Sequence, residues 1–424
     1  MTKPLLVEVA GAAGSANNDQ RAREKHARPH VLVDGLESQP PRQLAVYPAS
    51  AGFELVDELD FLAARAVEPN IFFNPRFLAP AMPRLEDRDV RLAVIRDGNE
   101  FRSRLRLLVP FSIERPSMPF SVSHLRIWSS SFGPLGTPLL DSDDPVGVMG
   151  DCVEMISRPH LNLPRVLVMP EVRLDGPFAA MLGLVAEHRN LPLQVIHKVE
   201  RAHLQSDVSG DDYLRKTLNS HHLGEFRRLK RRLGDKGTLD YVIARQPDEV
   251  RLGIENFLIL EASGWKGRAG TAMAVDRYRA AFVREAAHRL AENDMCRVHS
   301  LLLDGKTIAS LVVFVERGVA YTWKTAYDEA YASYSPGMLL MIETTRTHLD
   351  DPNIDVTDSC AIPDHPMMNR LWAERRPLGT FVLGTAPDTS RQTRQAALYL
   401  ERQSRARSMA RRLRERVRKA LRRG

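Results

Sequence analysis

The stretch TWKTAYDEAYASYSPGMLLM, residues 322–341, runs from a β-branched and aromatic segment through a loop into an apolar helical pattern. Ser335 stands at the N-cap position, where its hydroxyl is expected to accept a free backbone N–H. Pro336 suits the first helical turn, because its missing N–H would have no partner there. Gly337 leaves the backbone bare, so that a ligand can come close, and Met338 completes the turn. Unpaired N–H groups and the helix dipole at such a start favour an anion. A helix that is merely well capped would show the same residues, so the neighbouring elements have to decide.

Upstream, residues 296–328 read as three strands with turns at Asp304-Gly305 and Arg317-Gly318. Before them come a helix over 211–236, a strand over 237–246, and helices over 247–264 and 277–294. Downstream, 353–360 reads as a strand, 365–375 as a helix and 378–384 as a closing strand. An antiparallel meander thus feeds a strand, a helix and a parallel strand, in a mixed α/β sheet. This placement turns the Ser335–Met338 start into a candidate anion site.

Residues 44–199 alternate in a similar way. A helix is expected over 53–66, a hairpin of 90–98 with 103–114 around Asp97-Gly98, and a strand over 124–130. A helix over 145–158, a strand over 164–172, a helix over 176–190 and a strand over 191–199 follow. No Ser-Pro-Gly start is visible in this half. Residues 1–43 are polar and end in SQPPRQ, which reads as a disordered leader. The expected organisation is a leader (1–43), an N-terminal α/β domain (44–204), a C-terminal domain (205–390) and a basic helical tail (391–424).

Length and composition agree. A chain of 424 residues exceeds one ordinary core, and 43% hydrophobic with 27% charged content reads as globular. Three sparse cysteines, Cys152, Cys296 and Cys360, lack metal spacing and point to a reducing compartment. A cytoplasmic location is expected, with peripheral placement at the inner membrane as a variant. The net charge of +7 is uneven: residues 391–424 hold thirteen Lys/Arg and two Glu, leaving −4 for the rest. The body is therefore no general nucleic-acid binder on charge.

Four blocks carry a family resemblance: EFRRLKRRLGDKG (225–237), LEASGWKGRAGTAM (260–273), the opening stretch, and DSCAIPDHPMMNRLW (358–372). From Asp211 to Gly384 the chain resembles the BioF-like/CelD-type acetyltransferase domain of the GNAT superfamily, which is often linked to bacterial cellulose or exopolysaccharide production. The resemblance implies acetyl-CoA or another acyl-CoA as co-substrate. Its pantetheine would lie between two splayed parallel strands and its pyrophosphate on Ser335, Pro336, Gly337 and Met338. The similar Fem-type transferases pair two such domains and use aminoacyl-tRNA, which would make the first half a degenerate GNAT-like copy.

Direct transfer from a thioester needs an anchored donor, a deprotonated acceptor, a stabilised carbonyl oxygen and a reprotonated thiolate. Asp358, at the end of its strand, is a candidate base or a turn aspartate. Tyr331 or Tyr334 could protonate the thiolate, or pack on the sheet. Lys324 and Asp328 could pair and fix the loop. Trp265, Lys266 and Arg268, just past Gly264, suit a sugar or carboxylate acceptor, although Trp265 could instead fold into the core. His221-His222 lacks ligand spacing, and no metal is expected.

In the tail, Met409, Leu413, Val417 and Leu421 recur every four residues on an arginine-rich, amphipathic helix. Docking on an anionic membrane surface or a protein partner ranks above nucleic acid, since no aromatics interleave for base stacking. The expected function is an N- or O-acyltransferase acting on a saccharide or small-molecule acceptor. Rival readings are an aminoacyl-tRNA-dependent transferase and a catalytically silent adaptor of a polysaccharide synthase.

Overall fold

The computed structural model describes residues 32–36, 41–86, 88–98, 103–116 and 121–421. The first half contains β1 (Leu32–Leu36), β2 (Arg42–Pro48), α1 (Val56–Arg65), α2 (Pro75–Leu85), β3 (Arg91–Asp97), β4 (Arg104–Glu114) and β5 (His124–Ile127). It continues through β6 (Leu139–Leu140), α3 (Pro145–Ile156), β7 (Val166–Arg173), α4 (Pro177–His188) and β8 (Leu193–Leu204). Two helices, α5 (Gly210–Thr217) and α6 (Ser220–Gly234), lead into the second half. There follow β9 (Leu239–Ala244), α7 (Pro247–Ser263), α8 (Trp265–Arg268), α9 (Arg277–Ala291), β10 (Cys296–Leu303), β11 (Lys306–Glu316) and β12 (Val319–Tyr327). The remainder is α10 (Pro336–Asp350), β13 (Val356–Asp358), α11 (Pro366–Leu371), β14 (Glu374–Gly384) and α12 (Ser390–Leu421).

The described strands form one mixed sheet in the order β1-β2-β3-β4-β5-β7-β14-β8-β13-β12-β11-β10-β9, with β6 added to β4. Reading inward from the edges, β2-β3-β4-β5-β7 repeats as β9-β10-β11-β12-β13. In both halves the last of these pairings is parallel, while the others are antiparallel. The closing strands are exchanged: β14 pairs with β7 of the first half, and β8 pairs with β13 of the second. They meet each other at the centre.

The halves also share their core. Phe77 on α2 meets the edges or faces of Phe282, Phe314 and Trp323 at ring separations of 5.2, 5.7 and 6.1 Å. Phe72 meets Tyr321 on β12 at 5.5 Å. Aromatic burial of this kind dominates core energetics, so the two copies form one packed body.

Several expectations change. Part of the presumed leader is ordered: Leu32–Leu36 pairs with β2, and Arg42 is buried; residues 1–31 and 37–40 lie outside the described residues, as does the hairpin connection 99–102. The single helix expected over 211–236 is two. Leu218 is extended, and the Asn219 side chain accepts from the His222 N–H to start α6, the local competition that asparagine offers to a continuous helix. The strand expected over 353–360 is only Val356–Asp358. The tail expected over 391–424 starts against the sheet, where Ala396, Ala397 and Leu400 pack on Val166, Val168, Ile196 and Val382. Met409 is exposed; Leu413, Val417 and Leu421 lie outside the described side chains.

Candidate active site

β12 and β13 pair only through Val319↔Val356, Ala320↔Thr357 and Tyr321↔Asp358. Then β13 stops, while β12 runs on to Tyr327 without a strand partner on that side among the described residues. The Thr322 hydroxyl donates to the Ser359 carbonyl at 3.0 Å and marks the root of the fork. Across the sheet Lys324 faces Val312 and Thr322 faces Val313, so Trp323 is an extra, bulged residue. A bulge re-aims side chains, and here Lys324 lies against the Trp323 ring.

α10 opens beside this fork. Pro336 occupies the first turn as expected, but the Ser335 hydroxyl makes no cap bond. Ser335 is instead left-handed (φ 52°, ψ 51°), and its carbonyl accepts from Met338 N–H at 2.9 Å and Leu339 N–H at 3.1 Å. The Gly337 N–H meets no acceptor among the described residues. A Cβ on Gly337 would reach only Tyr327, at 3.5 Å, an ordinary contact. Internal packing therefore does not demand glycine here.

The first half carries the same backbone device, which the sequence reading missed. α3 also starts from a left-handed residue, Asp144 (φ 55°, ψ 50°), with Pro145 in its first turn. There the Asp144 carboxylate accepts from Gly147 N–H at 3.2 Å and pairs with Arg42 at 2.5 Å. The chain thus supplies its own anion to that helix start, while the start of α10 is left open.

Tyr331 and Tyr334 lie in the 3₁₀ turn Glu329–Tyr334 ahead of α10. Their rings are half-buried, and the Tyr331 ring carries Lys306 Nζ at 5.8 Å and the Tyr334 ring the Arg232 guanidinium at 5.6 Å. The expected Lys324–Asp328 pair is not formed. Asp328 pairs with Lys306 at 2.9 Å and caps Ala330 N–H at 3.0 Å. Lys324 turns the other way, because the bulge aims it at the first half: its Nζ donates to the Ser131 carbonyl at 3.0 Å and lies 4.7 Å from the Phe132 ring centre. Burial, and then the neighbouring Lys266, push its ammonium down to about 8.

Trp265 is not folded into the core; it is 57% exposed. Its backbone N–H donates to Glu329 at 2.7 Å, and Arg268 pairs with the same carboxylate at 2.6 Å. Lys266 pairs at 2.7 Å with Glu261, whose other oxygen accepts from Met273 N–H. The three predicted acceptor residues are therefore gathered at one rim. Asp358 is elsewhere, 1% exposed at the root of the fork. It accepts from Cys360 N–H at 2.7 Å and lies 3.6 Å from Arg201. Glu329, Glu261, Lys306, Ser131 and Phe132 were missed, and the last two come from the other half with no local signal. Among the described residues no group of three or more His, Cys, Asp or Glu could hold a metal ion, and no helix is long and apolar enough to cross a membrane.

No curated protein matches the chain. Among solved structures, FemX is 9% identical over 77% of this chain and 95% of its own, with a TM-score of 0.52. A conserved protein of unknown function from Bacteroides thetaiotaomicron is 11% identical over 78% of this chain and 96% of its own, at 0.49. A tandem GNAT protein from the clavulanic acid biosynthesis pathway is 14% identical over 81% and 99%, at 0.38. Residues 220–359 match the family model of the acetyltransferase (GNAT) domain. They span α6, the meander, the open helix start and the fork, so this mixed α/β chain carries a GNAT acetyltransferase domain and is an acyltransferase.

Proposed function

We propose that the protein transfers an acyl group, acetyl foremost, directly from acyl-CoA to an amine or hydroxyl of a saccharide or small-metabolite acceptor. The CelD-type resemblance supports a place in cellulose or exopolysaccharide production. The observation that carries the reading is the open start of α10: an uncapped left-handed Ser335, an unaccepted Gly337 N–H and a bare Cα. A pyrophosphate satisfies that N–H and the positive helix end together.

The acyl-CoA supplies an activated carbonyl, and the unpaired edge of β12 offers it backbone donors. Lys324, already shifted toward neutrality, takes the proton from the acceptor. The rim of Trp265, Lys266 and Arg268 meets the acceptor, and Tyr331 or Tyr334 returns a proton to the thiolate. Asp358, enclosed by Arg201 and the Cys360 N–H, holds the fork rather than acting as base. The outer part of α12 docks on an anionic membrane surface or a partner.

A second reading keeps the fold and replaces acyl-CoA with aminoacyl-tRNA. The likeness of fold to FemX and the basic α12 favour it. Calorimetric titration of acetyl-CoA into the full chain, with Gly337→Glu beside it, tests the first reading. Saturable binding lost in a variant of unchanged melting temperature is expected. No binding by the wild type would overturn the acetyl-CoA assignment, and titration of charged tRNA would then test the second.

A further inference from the structure

The exchanged strands meet at a seam of three arginines whose donors are not all satisfied. Arg201 on β8 and Arg376 on β14 stand directly opposite one another. Arg173, at the end of β7, stands opposite Leu378, two residues along β14 from Arg376. Arg173 and Arg201 are only 7% and 4% exposed. Like charges directly opposed across a ladder are destabilising, and a buried guanidinium needs its donors satisfied.

Here they are not. Among the described residues Arg173, which bonds the Tyr321 hydroxyl, leaves Nε and Nη2 without a hydrogen-bond partner, and Arg201 and Arg376 each leave Nε. Arg201 is partly served, by the Pro134 carbonyl at 3.1 Å and by Glu171 and Asp358 at 3.5 and 3.6 Å. Arg376 has Asp175 only at 3.9 Å. The nearby carboxylate of Glu68 is engaged by the Phe178 N–H at 2.9 Å. Burial pushes the Arg376 guanidinium down, and the charge of Arg173 adds to it. Arg42, by contrast, has three carboxylates, at 3.1, 2.5 and 2.7 Å.

We propose that the seam is a binding site for an anionic group, a carboxylate or phosphate, held by Arg173 and Arg376 and belonging to the acceptor. This rests on the acyl-transfer reading above. A guanidinium fork matches such an anion with paired donors. The position suits an acceptor, because Arg201 holds Pro134 in the same loop that brings Ser131 and Phe132 to Lys324, and Asp358 at the root of the fork closes the other side.

The test is thermal melting of the full chain saturated with CoA, titrated with inorganic phosphate and with acetate, for wild type, Arg173→Met and Arg376→Gln. Wild type is expected to melt higher with at least one anion, and both variants to lose that shift. Calorimetry with glucose, glucuronate and glucose 6-phosphate separates an acceptor from a free ion. Binding of a charged sugar at least tenfold tighter than glucose, lost in Arg376→Gln, supports the acceptor role; binding of the free anion alone overturns it. Identical anion shifts in all three proteins, or none in wild type, overturn the site itself. Should Arg173→Met fail to fold, Arg376→Gln carries the test. In a Ser335→Asp background the anion shift should persist, which separates failure of the seam from failure of the acyl-CoA site.

Discussion

Ser335 and Asp144 share a backbone conformation but not a hydrogen bond. Each is left-handed, each precedes a proline, and each opens the helix that lies in the connection between two parallel strands. Asp144 closes its helix start with a carboxylate; Ser335 leaves its own open. Ser335→Asp should therefore copy the closed state into the second half. Aspartate tolerates this conformation and is a good N-cap, so the melting temperature should hold or rise. Calorimetric affinity for acetyl-CoA should fall at least tenfold. Wild-type affinity in a capped variant would mean that the anion does not bind at α10.

Lys324 gives a second prediction, in pH. Its ammonium is pushed down to about 8 by burial and by Lys266, so the neutral, proton-accepting form grows as pH rises through that value. CoA thiol release should climb between pH 7 and 9 and then level. Lys324→Arg keeps a cation that does not deprotonate; its rate should drop by roughly 10²–10⁴-fold, the usual weight of a general base, and lose the rise. An unchanged profile in Lys324→Arg would place the base elsewhere.

The sequence made the meander legible because Asp304-Gly305 and Arg317-Gly318 separate apolar runs, and all four residues take the positive φ of tight turns. The Ser-Pro-Gly start was legible for the same reason: its chemistry is local. What escaped is non-local. Nothing near Arg376 tells that it will face Arg201, because β14 crosses to the other half. Nothing near Lys324 tells that its partner is Ser131 rather than Asp328, four residues away. The cradle in the first half hid behind its own aspartate. At Leu218 the apolar spacing runs on, although the backbone breaks.

The buried pair His299 and His348 predicts acid sensitivity. Their rings meet edge to face at 5.2 Å, with Tyr241 and Thr357 hydroxyls on their Nδ1 atoms at 2.6 and 3.0 Å. Burial pushes His348 down to about 3 and His299 well below its ordinary value. Both stay neutral in the fold, whereas the unfolded chain takes up protons below about 6.5. Their contribution is thus present above that value and is lost as pH falls toward their folded values. Stability should drop by about 1.4 kcal/mol per histidine for each pH unit in that window. Urea midpoints from pH 7 to 5 measure this, and His299→Phe with His348→Leu should flatten the slope. An equally steep slope in that double variant would assign the acid sensitivity to other groups.

α12 divides into a packed part and a charged part, and truncation should separate them. Ala396, Ala397 and Leu400 are buried against β7, β8 and β14, so a chain ending after Thr389 loses that cover. Leucine burial and two alanines are worth roughly 2–4 kcal/mol, which should appear as a lower urea midpoint. A chain ending after Ala410 keeps these contacts and should unfold like the whole protein. It lacks eight of the lysines and arginines. If the outer helix docks on anionic lipid, the whole protein should sediment with phosphatidylglycerol vesicles at low salt and release at high salt, while the chain ending after Ala410 stays in solution. Equal sedimentation of the two would remove the outer helix from membrane docking and leave its cations for a protein or tRNA partner.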